Sequence, residues 1–136
     1  IPDLTAEKNV EFPLRLRGMS ASERKPLVAK ALEQVGLSSR SKHLPSKLSG
    51  GQQQRVAIAT AIAGSPSIIL ADEPTGNLDS KMATQIMNML GEINAAGTTI
   101  IMVTHSLENA ELANRRIEIR DGTIAKETSN PKKQGG

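Results

Sequence analysis

One stretch of the chain sets four apolar residues directly before two adjacent carboxylates. Ile68 to Ala71 are apolar, Asp72 and Glu73 follow, and Pro74 ends the extended segment. A short apolar run bounded by a turn signal is typical of a buried strand in a parallel sheet. Because α/β sheets bind ligands at the carboxyl ends of their strands, the two carboxylates predict a site for a divalent metal and for a base that acts on water.

A second segment, Leu48-Ser49-Gly50-Gly51-Gln52, stands at the predicted start of a helix that runs to about Ala63. Free backbone N–H groups and the positive end of the helix dipole favour an anion such as phosphate at that place. A glycine at position 51 lets the backbone approach a ligand closely because it has no Cβ. Alone, the segment fits a plain glycine start of a buried helix equally well; together with the downstream carboxylates it favours a phosphate site.

Composition limits the alternatives. The chain has 136 residues, enough for one domain, and its only aromatic residue is Phe12, so its core is built from aliphatic side chains. It has no Cys, which excludes a disulfide scaffold, and no apolar run of membrane-spanning length. The formal net charge of +3 is typical of an ordinary solvated surface, and the basic pairs are too short to indicate a nucleic-acid patch.

The first half of the sequence predicts helices and the second half alternates strands with helices. Thr5 is a candidate N-cap, Pro13 is expected to kink or end the first helix, and Pro26 is expected near the first turn of the second. Ser20 or Ser22 caps the second helix, and Gly36 ends it. The predicted helices are 5–17, 20–35, 50–63, 80–94 and 106–113; the predicted strands are 67–71, 98–103, 117–120 and 123–126, the last two joined at Asp121-Gly122.

These motifs, in this order, resemble the ATP-binding-cassette (ABC) family of ATPases over nearly the whole chain, from Asp3 to about Glu127. The resemblance implies an α/β fold in which residues 1–66 form the helical signature subdomain. Residues 67–127 would form the second half of a RecA-like P-loop NTPase core with a parallel sheet, and residues 128–136 a disordered tail. The segments 4–10 and 71–79 are most similar to the group that serves lipoprotein release, macrolide-type export and cell division.

The resemblance also implies roles for residues 49–52 and for Asp79. Ser49, Gly50, Gly51 and Gln52 would be the signature loop, which contacts the γ-phosphate of ATP held by the opposite subunit of a dimer. Asp79 belongs to a segment that resembles the D-loop, which contacts the other subunit, and it is equally placed to cap the helix that follows.

The remaining site residues lie at the ends of the two predicted strands. By resemblance, Asp72 would hold Mg²⁺ through water, and Glu73 would orient or deprotonate the attacking water. His105 would bind the γ-phosphate and sense its loss. Read alone, a histidine after a buried strand is more often structural; its place after the second strand favours the functional role.

The sequence contains no Gly-x-x-x-x-Gly-Lys-Ser/Thr loop. We therefore expect the chain to be the C-terminal portion of a longer ATPase subunit, inactive alone, with apolar faces at Ile100, Met102 and Ile119 left uncovered. The implied cofactors are ATP and Mg²⁺. The implied partners are a second ATPase subunit, identical or paired, and transmembrane permease subunits, with no nucleic acid expected; the implied location is cytoplasmic, peripheral on the inner face of the cell membrane.

Two other functions stay open at this point. The chain could be a non-catalytic interaction module that lends its signature loop to a partner in trans. It could also be a split ATPase head of the DNA-repair type, although the helices before Leu48 are short and show no sustained heptads.

Overall fold

The computed structural model describes residues 1–129 and begins with three helices. These are α1 (Ala6–Leu16), α2 (Ala21–Gln34) and α3 (Gly50–Ile62). Two short 3₁₀ turns, Ser38–Arg40 and Pro45–Lys47, lie in the segment between α2 and α3. The second half contains β1 (Ile68–Asp72), α4 (Ser80–Ala95), β2 (Thr99–Val103), α5 (Leu107–Glu111), β3 (Arg115–Arg120) and β4 (Thr123–Ser129). The predicted mixed α/β fold is confirmed.

Each helix begins at a residue whose side chain accepts a hydrogen bond from a backbone N–H of the first turn. These N-caps are Thr5, Ser20, Ser49, Asp79 and Ser106. At Ser20 the cap is reciprocal, since the Glu23 carboxylate accepts from the Ser20 N–H at 2.7 Å. That bond, together with the bond involving the Ser20 hydroxyl, holds the pKa of Glu23 below its ordinary value.

The core is aliphatic and lies among the first three helices. Val10 and Leu14 of α1 pack with Leu32 of α2 and Ala59 of α3, and Ile86 of α4 joins the same buried cluster. Of the two effects expected of Pro13, a kink or an early end, the early end does not occur, because α1 continues to Leu16. The missing N–H removes one intrahelical bond, whereas burial of the α1 face favours continuation.

The proline in α2 also lies deeper than expected. With Ser20 rather than Ser22 as the N-cap, Pro26 falls in the second turn of the helix. At the other end, Gly36 adopts a φ of +72° and its N–H bonds to the Glu33 carbonyl at 3.0 Å. The next N–H, of Leu37, reaches the Leu32 carbonyl at 2.8 Å, which completes the predicted glycine stop.

The strands form two pairs. β1 and β2 are parallel, with Leu70 opposite Ile101 and Asp72 opposite Val103. β3 and β4 form an antiparallel hairpin around Asp121 and Gly122, both at positive φ, as the Asp-Gly turn predicts.

The β1–β2 sheet is covered on one face only within the described residues. Ile69 is buried and Ile100 packs against the helical core, whereas Leu70 is 78% exposed and Ile101 and Val103 lie on the same uncovered face. The predicted burial of β1 is therefore found on one face only within residues 1–129.

The predicted uncovered face was also assigned to the wrong side of β2. Ile100 and Met102 are half-buried, so of the three expected positions only Ile119, 68% exposed, is left uncovered. Alternation along β2 turns Ile100 and Met102 to the side opposite Ile101 and Val103.

The predicted tail starts too early. Thr128 and Ser129 belong to β4, where they pair with Arg116 and Arg115. The cross-strand bonds of these residues extend the hairpin beyond its predicted end. The rest of the predicted tail, residues 130–136, lies outside the described residues. Among residues 1–129, no helix has the length and apolar character needed to cross a membrane.

Candidate functional site

The two carboxylates lie where β1 ends, and the histidine lies where β2 ends. Since the strands are parallel and adjacent, these ends meet at one edge of the sheet. The side chain of Glu73 turns toward β2: its Oε1 accepts from the His105 N–H at 2.6 Å, and Thr104 Oγ1 donates to its Oε2 at 3.3 Å. Asp72 is exposed on the uncovered face beside this pair. The structure thus brings Glu73 and His105 together, and Asp72 directly precedes Glu73 in the chain.

The backbone at Glu73 is held in an unusual conformation. Its φ is +46°, in the left-handed region, which costs a non-glycine residue about 1–3 kcal/mol. Its N–H still continues the ladder, bonding to the Val103 carbonyl at 2.8 Å. The turn thereby redirects the carboxylate from the strand axis toward the neighbouring strand.

The imidazole of His105 points to solvent. Its side chain is fully exposed, and its Nε2 lies 3.9 Å from Glu73 Oε1, which is too far for a hydrogen bond. The Glu73 side chain is 38% exposed, so both groups are open to a ligand approaching this edge. A carboxylate placed in this way can accept a proton from water, and the imidazole can donate to an anion.

At the start of α3, Ser49 and Gly50 are exposed, whereas Gly51 is buried. Ser49 Oγ accepts from the Gln52 N–H at 3.1 Å, and Gln52 Oε1 accepts from the Ser49 N–H at 2.9 Å. The Ser49 hydroxyl proton and the N–H groups of Gly50 and Gly51 have no partner within residues 1–129. These three donors and the helix dipole suit an anion.

Contacts with α4 fix the position of this segment. A Cβ added at Gly51 would lie 2.9 Å from the Met82 terminal carbon, and one at Gly50 would lie 3.6 Å from a Leu78 methyl. A cavity of about 200 Å³ next to it is lined by Ser49, Gln52 and neighbouring residues of α3 and α4. A larger groove of about 430 Å³ lies between α1 and α3. None of the predicted site residues lines it, so we do not assign it to the candidate site.

Asp79 has the capping position that the sequence predicts. Its Oδ1 accepts from the Met82 N–H at 2.8 Å and begins α4. Asp79 is therefore the N-cap of α4. Its contact with a second subunit stays a prediction.

Sequence reasoning missed three residues that support the site. Thr104 and Asn109 bind the turn that carries Glu73, and Arg55 connects three helices. Thr104 had a usable signal, since it ends the strand next to the carboxylates. Asn109 had no such signal, because nothing in the sequence of the short helix α5 indicates that this residue is buried.

Arg55 holds α3 in place. Its Nη1 donates to the Val35 carbonyl at the end of α2 at 3.0 Å, and its Nη2 donates to Gln85 Oε1 of α4 at 3.1 Å. We expect Arg55→Ala in the full-length protein to lower the free energy of unfolding by about 1–2 kcal/mol, because both bonds come from a charged donor. Urea unfolding measures this loss of stability, and the control is Arg40→Ala, a substitution at an exposed arginine. Equal losses for the two variants would contradict this role.

Comparison with known proteins shows the family of this chain. The family model described as ABC transporter matches residues 1–76. This chain belongs to the ABC transporter family. It is 49% identical over 135 residues to YknY of Bacillus subtilis, an uncharacterised ABC transporter ATP-binding protein, covering 99% of the chain and 59% of that protein. It is 50% identical to the macrolide export ATP-binding/permease protein MacB of Azoarcus sp., covering 96% of the chain and 20% of that protein.

A solved structure supports the fold independently. The ATP-binding cassette MJ0796, in a dimeric post-hydrolysis state bound to ADP and Pi, superposes with a TM-score of 0.80 at 44% identity. The match covers 95% of this chain and 58% of that one. The chain therefore spans little more than half the length of YknY and of this cassette.

Proposed function

We propose that this chain is part of an ATP-binding subunit of an ABC transporter that hydrolyses ATP at a head-to-tail dimer interface and couples hydrolysis to transmembrane export. The observation that carries the proposal is the placement of Glu73 against the His105 segment at the carboxyl ends of two adjacent parallel strands. Within this subunit, residues 1–66 would be the helical signature subdomain and residues 67–127 part of the RecA-like core.

Glu73 is the proposed base. Its carboxylate is half-exposed and fixed by two donors, so it can accept a proton from the attacking water at a defined position. His105 would donate from its exposed imidazole to the γ-phosphate. Both roles are motivated by the position of Glu73 and His105, which lie next to each other at the solvent-exposed carboxyl ends of β1 and β2.

Asp72 is the proposed contact to Mg²⁺, made through water. Mg²⁺ takes few carboxylates and keeps several waters, so one exposed carboxylate suits it. Among residues 1–129 no group of three His, Cys, Asp or Glu side chains is placed to hold a metal ion. The bound metal would neutralise charge on the transferred phosphoryl group.

Ser49, Gly50, Gly51 and Gln52 are proposed to bind the γ-phosphate of ATP held by the partner subunit. The three unpaired donors at the start of α3 support this, as does the dimeric, ADP- and Pi-bound state of the similar cassette MJ0796. Asp79 would contribute at the same interface.

The proposed partners are a second ATPase subunit and transmembrane permease subunits. The support is that MacB of Azoarcus sp. is an ATP-binding/permease protein and that the MJ0796 cassette is dimeric. The subunit would be cytoplasmic and peripheral on the inner face of the cell membrane.

The direct test uses the full-length subunit, purified with and without its permease. We expect Mg²⁺-dependent ATP hydrolysis and an ATP-dependent dimer, measured by phosphate release and light scattering. Absence of hydrolysis in both preparations, with binding to a second ATPase retained, would replace the proposal with a non-catalytic interaction module. Duplex-DNA binding with a steep salt slope and no permease binding would replace it with a repair-type ATPase head.

A further inference from the structure

We propose that Asn109 is a positioning residue for Glu73, acting through Thr75; this rests on the proposed function. Asn109 is the one buried polar side chain within residues 1–129, at 9% exposure. Its Nδ2 lies 2.8 Å from Thr75 Oγ1, to which it donates. Burying an amide costs free energy unless it makes a hydrogen bond. The bond from Asn109 to Thr75 therefore fixes the position of α5 relative to the turn that contains Thr75.

Thr75 stands at the centre of the turn that follows the carboxylates. The Gly76 N–H bonds to the Glu73 carbonyl at 3.0 Å, and the Leu78 N–H bonds to the Thr75 carbonyl at 3.2 Å. Two consecutive turns therefore share Thr75, and both contain a non-glycine residue at positive φ, Glu73 and Asn77. A bond to the Thr75 side chain restrains both turns at once.

Asn109 is itself fixed to the segment that carries His105. Its backbone N–H donates to Ser106 Oγ at 3.2 Å, and the Ser106 N–H donates to Thr104 Oγ1 at 3.0 Å. Thr104 and the His105 N–H hold the Glu73 carboxylate. The Asn109–Thr75 bond thus closes a ring of contacts between the two strand ends.

The ring has a mechanical consequence. Contacts from Thr104 and His105 hold the carboxylate end of Glu73, while the contact from Asn109 holds the backbone turn behind it. A residue at a strained φ keeps its conformation only where its surroundings over-determine it. Loss of the Asn109 bond would free the turn to relax and would displace the carboxylate from the attacking water.

The test is made in the full-length subunit with Asn109→Leu, which keeps the volume and removes the donor. We expect kcat for ATP hydrolysis to fall about 10- to 100-fold, the effect of a small displacement of a reacting group. The KM for ATP should stay within about twofold, since no group that contacts ATP is removed. Asn94→Leu is the matched control, because it removes a similar amide bond, to the Thr98 carbonyl at 3.0 Å, at the other end of β2; it should leave kcat unchanged.

Thr75 provides a second test that does not depend on a variant at the buried site. Thr75→Val should lower kcat, whereas Thr75→Ser, which keeps the hydroxyl, should restore it. The double variant Thr75→Val/Asn109→Leu should be no slower than either single variant, because the two side chains act as one contact. In a Glu73→Gln background, Asn109→Leu should cause no further fall.

The outcomes separate this inference from the proposed function. If Glu73→Gln itself leaves hydrolysis unchanged, the proposed function fails and this inference fails with it. If Glu73→Gln lowers hydrolysis and Asn109→Leu and Thr75→Val do not, only this inference is overturned. A loss in Thr75→Val that Thr75→Ser does not restore, or additive losses in the double variant, would overturn it equally.

Discussion

Replacing Glu73 with glutamine in the full-length subunit should lower the rate of ATP hydrolysis by about 10²–10⁴-fold, the contribution typical of a general base. The amide oxygen can still accept from the His105 N–H, so the turn and the strand end should keep their positions. What is lost is the ability to take a proton. Phosphate release under saturating ATP measures the effect, and ATP-dependent dimerisation should persist.

The control is Glu92→Gln, which makes the same chemical change at an exposed position of α4. Its hydrolysis rate should match that of the unaltered subunit. A Glu73→Gln subunit that turns over ATP at its original rate would remove Glu73 from the chemistry. A variant that has lost dimerisation as well as hydrolysis would indicate a folding defect, and the comparison would then be made with Glu73→Ala.

The meeting of Glu73 and His105 follows from the sequence by simple geometry. Two short apolar strands separated by one helix predict a parallel pair, and residues that follow the two strands must then share an edge. The helix starts at Ser49 and Asp79 were equally accessible, since a capping side chain acts within three residues of its own position. Local rules therefore located every element that carries a predicted site residue.

The sequence offers no basis for choosing which face of β2 is covered, and the predicted face was the wrong one. In the run Thr99 to Val103 four consecutive residues are apolar, so no alternation of polarity marks one side as solvent-facing. Only the contact of Ile100 with the helical core decides the matter.

The contact between Thr75 and Asn109 was equally inaccessible from the sequence. Thr75 and Asn109 are 34 residues apart in the chain, and their bond depends on how α5 packs against the turn after β1. Propensity and periodicity describe only near neighbours, so such a long-range polar pair leaves no local signal.

Mixing two inactive subunits should restore hydrolysis if the signature loop acts on the partner's site. Ser49→Asp keeps an N-cap acceptor for α3, since Asp caps as well as Ser, but it places a negative charge where the γ-phosphate would bind. Ser49→Asp and Glu73→Gln homodimers should each be nearly inactive. In the mixed dimer, one site combines the intact Glu73 of the first subunit with the intact Ser49 of the second.

With random pairing about half of the dimers are mixed and each has one intact site, so recovery should reach up to about a quarter of the unaltered rate. Differently tagged subunits that copurify establish that mixed dimers form. The control is a mixture of Glu73→Gln with His105→Ala, which damages the same half of each site and leaves no intact combination. Recovery in the first mixture alone supports action in trans. Mixed dimers without recovery would mean that Ser49 and Glu73 serve a site within one subunit, and the head-to-tail arrangement would have to be abandoned, because the two residues then never need a partner.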